Sequence, residues 1–196
     1  MRKEYGKALR EIFAAKMQTD FPNWRPVRPP KAHYWGGERA YMLDITSAAW
    51  LVIILEPNVK DHDAFDIAVG WSLHRRVPEL GMRPCVEDPN SAEAVARDEY
   101  LCRLSHLVGD QEYQDGWVID RRTFSIDPDE TLAALIDRQT RISAEEARSA
   151  MCPVVEDALL MLARHGVPYL ESRLPLLAAR YSRASFDSGA PDPPGT

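Results

Sequence analysis

The chain has 196 residues, of which 45% are hydrophobic and 28% are charged, a balance typical of one folded globular domain. Its 24 Lys and Arg against 30 Asp and Glu give a formal net charge of -6, which excludes a general polyanion-binding role such as that of a histone. The charge is uneven, because eight basic and three acidic residues give +5 over residues 1–36, and the remaining 16 basic and 27 acidic residues give -11.

The cysteines and the apolar runs of the sequence indicate the cellular compartment in which we expect the protein. Cys85, Cys102 and Cys152 are odd in number and form no C-x-x-C pair, so the sequence predicts neither a zinc cage nor a disulfide framework. The N-terminal segment carries charges among its apolar residues, unlike a signal peptide. The longest apolar run, at 48–55, is far shorter than the about 20 residues that cross a bilayer. We therefore expect a cytoplasmic protein without a membrane span.

The first predicted elements are a helix and an extended connector. Apolar residues at three- and four-residue steps, from Tyr5 to Met17, predict an amphipathic helix at 3–18. Four prolines between 22 and 30 prevent the helix from continuing, because each one fixes its own φ and disfavours helical geometry in the residue before it. The segment is therefore predicted to be an extended connector or an edge strand.

Three strands are predicted next, at 40–45, 48–56 and 65–73. The segment at 48–56 is almost continuously apolar and rich in branched residues, which predicts a central strand covered on both faces. The segment at 65–73 alternates large and small residues, which predicts two unlike faces. Its small face, with Ala68, Gly70 and Ser72, leaves room for a neighbouring backbone or a ligand.

The remaining chain is predicted to be a loop at 78–90, an ambiguous segment at 91–108, a strand at 116–123 and then helices. Periodicity at 91–108 allows either a helix or a strand. Capping signatures predict helix starts at Asp127 and at Ser143, where Glu130 and Glu146 follow three residues later.

Three signals in the last third predict where the helices end. Pro153 is expected to break or kink the helix that starts at Ser143, and Gly166 is expected to end it. Beyond Arg183 the chain has few large apolar residues, which predicts a flexible tail at 184–196.

These elements predict an α+β fold. A mostly antiparallel sheet of about five strands, with an N-terminal helix and C-terminal helices packed on it, forms a single domain over residues 1–183. The connections between the strongest strands are too short for helical crossovers, which favours antiparallel pairing.

An acidic constellation offers one candidate catalytic site. Asp44, Glu56 and Lys60 loosely resemble the arrangement in which two carboxylates bind Mg²⁺ and a lysine positions water. Pro57 ends the strand between Glu56 and Lys60, so the two side chains are not aimed to one side by strand alternation. The alternative is that these are solvated charges at strand ends.

A second acidic group lies in the turn that follows. Asp61, His62, Asp63 and Asp66 could hold a divalent ion, but adjacent acids in a turn also satisfy their own backbone, and we expect no metal. Asp61, Asp63 and Asp66 are instead candidate contacts for a partner, together with Trp71 as an aromatic anchor.

Aromatic and basic residues interleave near the N-terminus. Trp24, Arg25 and Arg28 could line a groove for single-stranded nucleic acid. They could also be core or edge residues covered by basic stems, or a patch that docks an acidic partner.

The order of segments and several short phrases resemble one bacterial family. The phrases are YWGG before a strand, the run at 48–56, FDIAVGWSL, CRLSHLVG followed by GWVID, and ALLMLARHGVPYLESR. Over residues 3–175 they resemble the family called domain of unknown function 4304. The resemblance implies a strand at 100–108 and supplies no catalytic residues.

The sequence favours binding over catalysis. No G-x-S-x-G, P-loop, G-x-G-x-x-G or H-E-x-x-H signature occurs. An acidic chain without such motifs suits a non-enzymatic macromolecule-binding module, such as an immunity or defence-associated partner that masks a basic effector. The alternatives are a metal-dependent nuclease or other phosphodiesterase, and a small-molecule-binding domain. We expect a protein partner, no cofactor, and no nucleic acid on the acidic body.

Overall fold

A computed structural model describes residues 1–28, 37–45, 49–58, 63–78, 88–119 and 142–187, with side chains described as far as Arg180. In chain order its helices and strands are α1 (Lys3–Asp20), β1 (Arg25–Val27), β2 (Arg39–Asp44), β3 (Trp50–Pro57), β4 (Ala64–Ser72), α2 (Ala92–Ala96), β5 (Glu99–Arg103), α3 (Leu104–Val108), β6 (Trp117–Val118), α4 (Ala144–Met161) and α5 (Val167–Asp187). A π-helical turn, Leu162–Gly166, joins α4 to α5.

The strands form one antiparallel sheet, which confirms the predicted α+β fold. The order is β1-β2-β3-β4-β5, and β6 pairs with one end of β4. The proline-rich segment forms the edge strand β1, which confirms the second of the two structures predicted for it, an extended connector or an edge strand. The continuously apolar β3 lies at the centre of the sheet, because it pairs with β2 on one side and β4 on the other.

The two faces of the sheet carry separate apolar clusters. Leu51, Ile53 and Leu55 of β3 lie in the larger cluster, which also contains the buried residues of α1 and α4. Val52 and Ile54 lie in a smaller cluster on the opposite face. Both faces of β3 are therefore buried, which is the reason its sequence is continuous rather than alternating in hydrophobicity.

All nine residues of β4 are buried, although its two faces differ as predicted. Phe65, Ile67, Val69 and Trp71 lie in the cluster beneath the helices. On the small face, a Cβ added to Gly70 would lie 1.8 Å from the backbone oxygen of Tyr100 in β5. The room that the small residues leave at Gly70 is thus taken by the neighbouring strand.

The ambiguous segment at 91–108 divides into three short elements. Ser91 caps α2 by accepting a hydrogen bond from the backbone N–H of Ala94. The strand implied by the resemblance is correct for β5 but wrong from Leu104 onward, where α3 begins. Gly109, with a φ of 70°, ends α3 in the left-handed conformation that glycine adopts without steric cost.

The C-terminal helices begin as predicted and continue further than predicted. Ser143 and Glu146 form the reciprocal capping box at the start of α4. Pro153 does not break α4, because it lies on the exposed side, where water can solvate the carbonyl that loses its amide partner.

Gly166 does not end the helix, which corrects the prediction. The N–H of Val167 donates to the carbonyl of Leu162, five residues earlier, so the chain passes through a π turn into α5. A Cβ on Gly166 would lie 2.7 Å from Leu162 Cδ1 and 3.3 Å from Leu104 Cδ1. Gly166 therefore serves close packing rather than a left-handed stop.

Several predictions lie at or beyond the borders of the described residues. The capping signature at Asp127 and the end of the predicted strand at 120–123 lie outside them. Helix α5 continues to Asp187, past the predicted start of the tail, and residues 188–196 also lie outside them. Within the described ranges, no helix is both long and apolar enough to cross a membrane.

Candidate functional site

The candidate metal residues Asp44 and Glu56 lie at opposite ends of the β2–β3 hairpin. Asp44 is paired in register with Trp50, and Glu56 lies six residues further along β3, about 20 Å away at about 3.3 Å per residue. Asp44 forms an ion pair with Arg25, and Glu56 lies 3.9 Å from Arg103. Lys60 lies outside the described residues. The two carboxylates are too far apart to share a metal ion.

Asp63, a candidate partner contact, is instead a structural residue that is 2% exposed. Its carboxylate accepts hydrogen bonds from the backbone N–H and from Nε of Arg2, each at 2.7 Å. It therefore ties the start of α1 to the start of β4 and neutralises a positive charge there. Its neighbours Asp61 and His62 lie outside the described residues.

Asp66, the third acidic candidate, is also buried. Its carboxylate accepts hydrogen bonds from the Ser105 hydroxyl at 2.5 Å and from the backbone N–H of Ile67 at 2.7 Å. Burial raises the pKa of Asp66 above its usual 3.8, and the hydrogen bond from Ser105 opposes that rise. The residue cannot serve as an exposed partner contact.

The raised pKa of Asp66 predicts a pH-dependent stability. Because the folded state favours the protonated acid, the contribution of this group to the free energy of unfolding falls as the pH rises above the unfolded pKa of 3.8, towards and through the higher folded pKa. The Asp66→Asn variant keeps the shape without the charge; its amide oxygen can accept from the Ile67 N–H, and its amide NH2 can donate to the Ser105 hydroxyl oxygen. In urea unfolding, the free energy of unfolding of the variant should therefore rise relative to that of the parent protein as the pH rises from about 4 to about 7. A difference that is constant with pH would contradict this.

Trp71, expected to be an aromatic anchor, is fully buried in the core. Its ring lies 4.8 Å from that of Tyr100 between centroids, and its Nε1 donates to the backbone oxygen of Arg97 at 3.0 Å. The alternation that identified this strand could not show that its large face lies under the helices. Trp71 is therefore unavailable to a partner.

The three N-terminal candidates, Trp24, Arg25 and Arg28, lie in three different environments. Trp24 is buried in the main apolar cluster, which supports the reading of this residue as core. Arg25 is exposed and paired with Asp44. Arg28, directly after β1, is exposed, and among the described residues it has neither a hydrogen bond nor an ion pair.

Arg28 lines a cleft of about 330 Å³ on the sheet face opposite α1 and α4. The cleft lies between the end of β1, the start of β2, the middle of β3 and the chain that follows β4. Its lining is Val27, Arg28, Glu38, Arg39, Ala40, Ile54 and Val77. The floor is apolar, because Ala40, Ile54 and Val77 belong to the smaller apolar cluster. We call this site the basic cleft.

Among the described lining residues of the basic cleft, the formal charges of Arg28, Arg39 and Glu38 sum to +1. Arg39 donates from Nη1 to the backbone oxygen of Glu38 at 2.9 Å, a neutral acceptor that leaves its charge uncompensated. Glu38 is 4% exposed and brings one carboxylate to the lining. Two arginines and one buried glutamate therefore contribute to the described lining of a cleft with an apolar floor.

Sequence reasoning found Arg28 but missed Glu38, Arg39 and Val77. The sequence carries a signal for Glu38 and Arg39, since this charged pair follows two glycines, Gly36 and Gly37, at the start of a predicted strand. Val77 comes from the segment predicted to lead into a loop, and only the tertiary fold brings it over β3.

A second cluster, between β5 and α5, was also missed. Tyr100 and Cys102 of β5 face Tyr169 and Arg173 of α5, and the Arg173 guanidinium lies 4.9 Å from the centre of the Tyr169 ring. The Tyr169 hydroxyl donates to the backbone oxygen of Pro89 at 2.8 Å, and Arg173 donates to Asn90 Oδ1 at 2.5 Å. These contacts attach α5 to the segment before α2.

The chemistry of this second cluster is structural. Burial raises the pKa of Cys102 to about 12, so the thiol stays protonated at neutral pH and is a poor nucleophile. His106, four residues later, is exposed on α3. Among the residues that the structure describes, no three His, Cys, Asp or Glu side chains are grouped so that they could hold a metal ion.

Comparison of the chain with protein-family models, with curated proteins and with solved structures finds no match in any of the three. The resemblance to the family called domain of unknown function 4304 therefore stays an expectation from short sequence phrases.

Proposed function

We propose that the protein is a non-enzymatic binding module that docks a carboxylate-bearing segment of another protein in the basic cleft. The observation that supports this proposal is the pair Arg28 and Arg39, which line the cleft and form no ion pair with a described residue, beside an apolar floor. Complementary charge selects partners and accelerates association, and guanidinium groups match the geometry of carboxylates.

The lining favours binding over catalysis. Among the described residues of the basic cleft there is no serine, threonine, cysteine or histidine, the usual nucleophiles and proton-transfer groups. The one carboxylate in that described lining is that of Glu38, which is buried.

An immunity or defence role that masks a basic effector, expected from the acidic body, would use a surface other than the basic cleft. Of the residues expected to contact such an effector, Asp63, Asp66 and Trp71 are buried. The arginines of the basic cleft support an acidic docking segment instead; Arg28 belongs to the basic segment 1–36, and Arg39 follows it in the chain.

Charge reversal in the basic cleft tests the proposal. A fluorescent peptide rich in Glu and Ser, with a free C-terminus, should bind the protein, and a matched peptide rich in Lys and Ser should not. Arg28→Glu and Arg39→Glu should each weaken binding by about tenfold, because each loses a charge-assisted contact and gains repulsion. Fluorescence anisotropy measures the dissociation constants.

Arg164→Glu is the matched control, since Arg164 is exposed on the π turn, outside the cleft lining. Equal losses in the control and in the cleft variants would mean that only net charge matters, and would remove the cleft from the proposal. Tighter binding of a single-stranded oligonucleotide at the same arginines would replace a protein partner with nucleic acid.

A further inference from the structure

The basic cleft adjoins a third arginine, Arg10 of α1, and the inference drawn from it rests on the proposed function. The Arg10 guanidinium lies between two glycines, because its Nη1 would be 3.3 Å from a Cβ added to Gly6 and 3.5 Å from one added to Gly37. Gly37 is followed closely by β2, whose first residue is Arg39. Arg10 therefore lies beside the start of β2.

Arg39 and Arg28 bring two further cations to the same edge of the sheet. Arg39 is paired with Leu55 of the main apolar cluster, so its side chain is directed to the face of the sheet that α1 covers. Val27 is paired with Ala40. Arg28 and Arg39 are the residues next to that pair, and both line the basic cleft. The three arginines therefore follow one another from α1 around the edge of the sheet to the cleft.

We call Arg10, Arg28 and Arg39 the arginine strip. None of the three forms an ion pair with a described residue, although Arg10 is partly buried. The acid that follows Arg10 in the chain, Glu11, is directed to α4 instead, where its carboxylate lies 3.8 Å from Arg148. Guanidinium groups match the planar geometry of carboxylates, so the strip is suited to a ligand with several of them.

We propose that the arginine strip binds a run of consecutive acidic residues in a partner protein, which lies from the basic cleft across the sheet edge onto α1. Three arginines from separate segments need carboxylates at several positions, and an extended run of six residues spans about 20 Å at about 3.3 Å per residue. The strip suits an acidic protein segment better than single-stranded nucleic acid. The aromatic residues of α1, β1 and β2, which are Tyr5, Phe13 and Tyr41, are buried and offer no ring on which bases could stack.

Two labelled peptides of equal length test this with the full chain. One carries six consecutive Glu, and the other carries two Glu followed by four Gln, between identical Gly-Ser flanks. The six-Glu peptide should bind at least about tenfold more tightly, because it can contact all three arginines. Arg10→Gln should reduce that preference by about fivefold, the effect of losing one charged contact. Fluorescence anisotropy at low ionic strength, where screening is weak, measures the dissociation constants.

Lys16→Gln is the matched control, because it removes one positive charge from the same helix on the side that faces α4. Lys16 forms an ion pair with Glu156, and both side chains are exposed, so the replacement should keep the fold and the preference for six Glu. Urea unfolding shows whether both variants remain folded.

The outcomes separate this inference from the proposed function. If Arg10→Gln keeps the full preference for six Glu while Arg28→Glu weakens the binding of both peptides, the contact with α1 is overturned and the basic cleft stands. If Arg10→Gln and Lys16→Gln reduce the preference equally, only net charge matters and the arginine strip is overturned. If neither peptide binds, both proposals are overturned. If an oligothymidylate of six nucleotides binds more tightly than six Glu and loses affinity in Arg10→Gln, an acidic protein segment is overturned as the ligand.

Discussion

Replacing Gly70 with alanine is expected to cost about 3 kcal/mol of the free energy of unfolding, the upper end of the about 1–3 kcal/mol lost when a well-packed core is overfilled. The added Cβ would lie 1.8 Å from the Tyr100 oxygen, 2.7 Å from the Tyr100 carbonyl carbon and 2.9 Å from Leu101 Cα. All three are backbone atoms of β5, so no side chain can move aside. Strand β5 would have to separate from β4.

Gly6→Ala is the control for the Gly70 variant. Its new Cβ would lie 3.3 Å from Nη1 of Arg10, the end of a flexible side chain, and the position is within helix α1. Alanine there should be neutral or stabilising by up to about 1 kcal/mol, because glycine in a helix loses more backbone entropy on folding. Urea unfolding of both variants measures the contrast, and a Gly70→Ala protein as stable as Gly6→Ala would show that the strands are not packed so closely.

Replacing Asp63 with alanine is expected to destabilise the protein by about 3–5 kcal/mol, because it removes one partner of a buried ion pair. The Arg2 side chain is 15% exposed and that of Asp63 is 3% exposed, so water compensates the remaining charge poorly. The backbone N–H of Arg2 would lose its acceptor as well. The start of α1 would then lose its attachment to β4.

Asp44→Ala is the matched surface control. Its ion pair with Arg25 is largely exposed, with 40% of the Asp44 side chain and 61% of the Arg25 side chain accessible to water. Exposed pairs contribute no more than about 1 kcal/mol. Chemical denaturation should therefore separate the two aspartates by at least about 2 kcal/mol. Similar losses for both would argue against a buried, structural role for Asp63.

The stability measurements also identify variants that lose binding only because their fold is destabilised. Asp63 and Trp71 look like surface contacts in the sequence, but both are buried, and their replacement would weaken binding to any partner by destabilising the fold. Arg28 and Arg39 are exposed, so their replacement reports on the cleft itself. A loss of binding in a protein that keeps its unfolding free energy is the informative result.

The sequence determined the local elements where side-chain periodicity is strong. Helix α1, strands β2 to β4 and the capping box at Ser143 follow from residues near one another in the chain, because helices and strands place side chains with fixed periods. The antiparallel arrangement follows from connections that are too short for crossovers. The net positive charge of residues 1–36 is also a local feature, because it can be counted directly along the chain.

Only the tertiary structure decided which residues are exposed and which meet. An alternating strand has two faces in the sequence, but covering both of them is a property of the layers packed on it, and this is why Trp71 and Asp66 are buried. The hairpin register separates Asp44 from Glu56, although both end strands in the sequence. The basic cleft joins Arg28, Arg39 and Val77 from separate segments of the chain. Sequence periodicity fixes the orientation of a side chain within its element, and only packing between elements decides what that side chain faces.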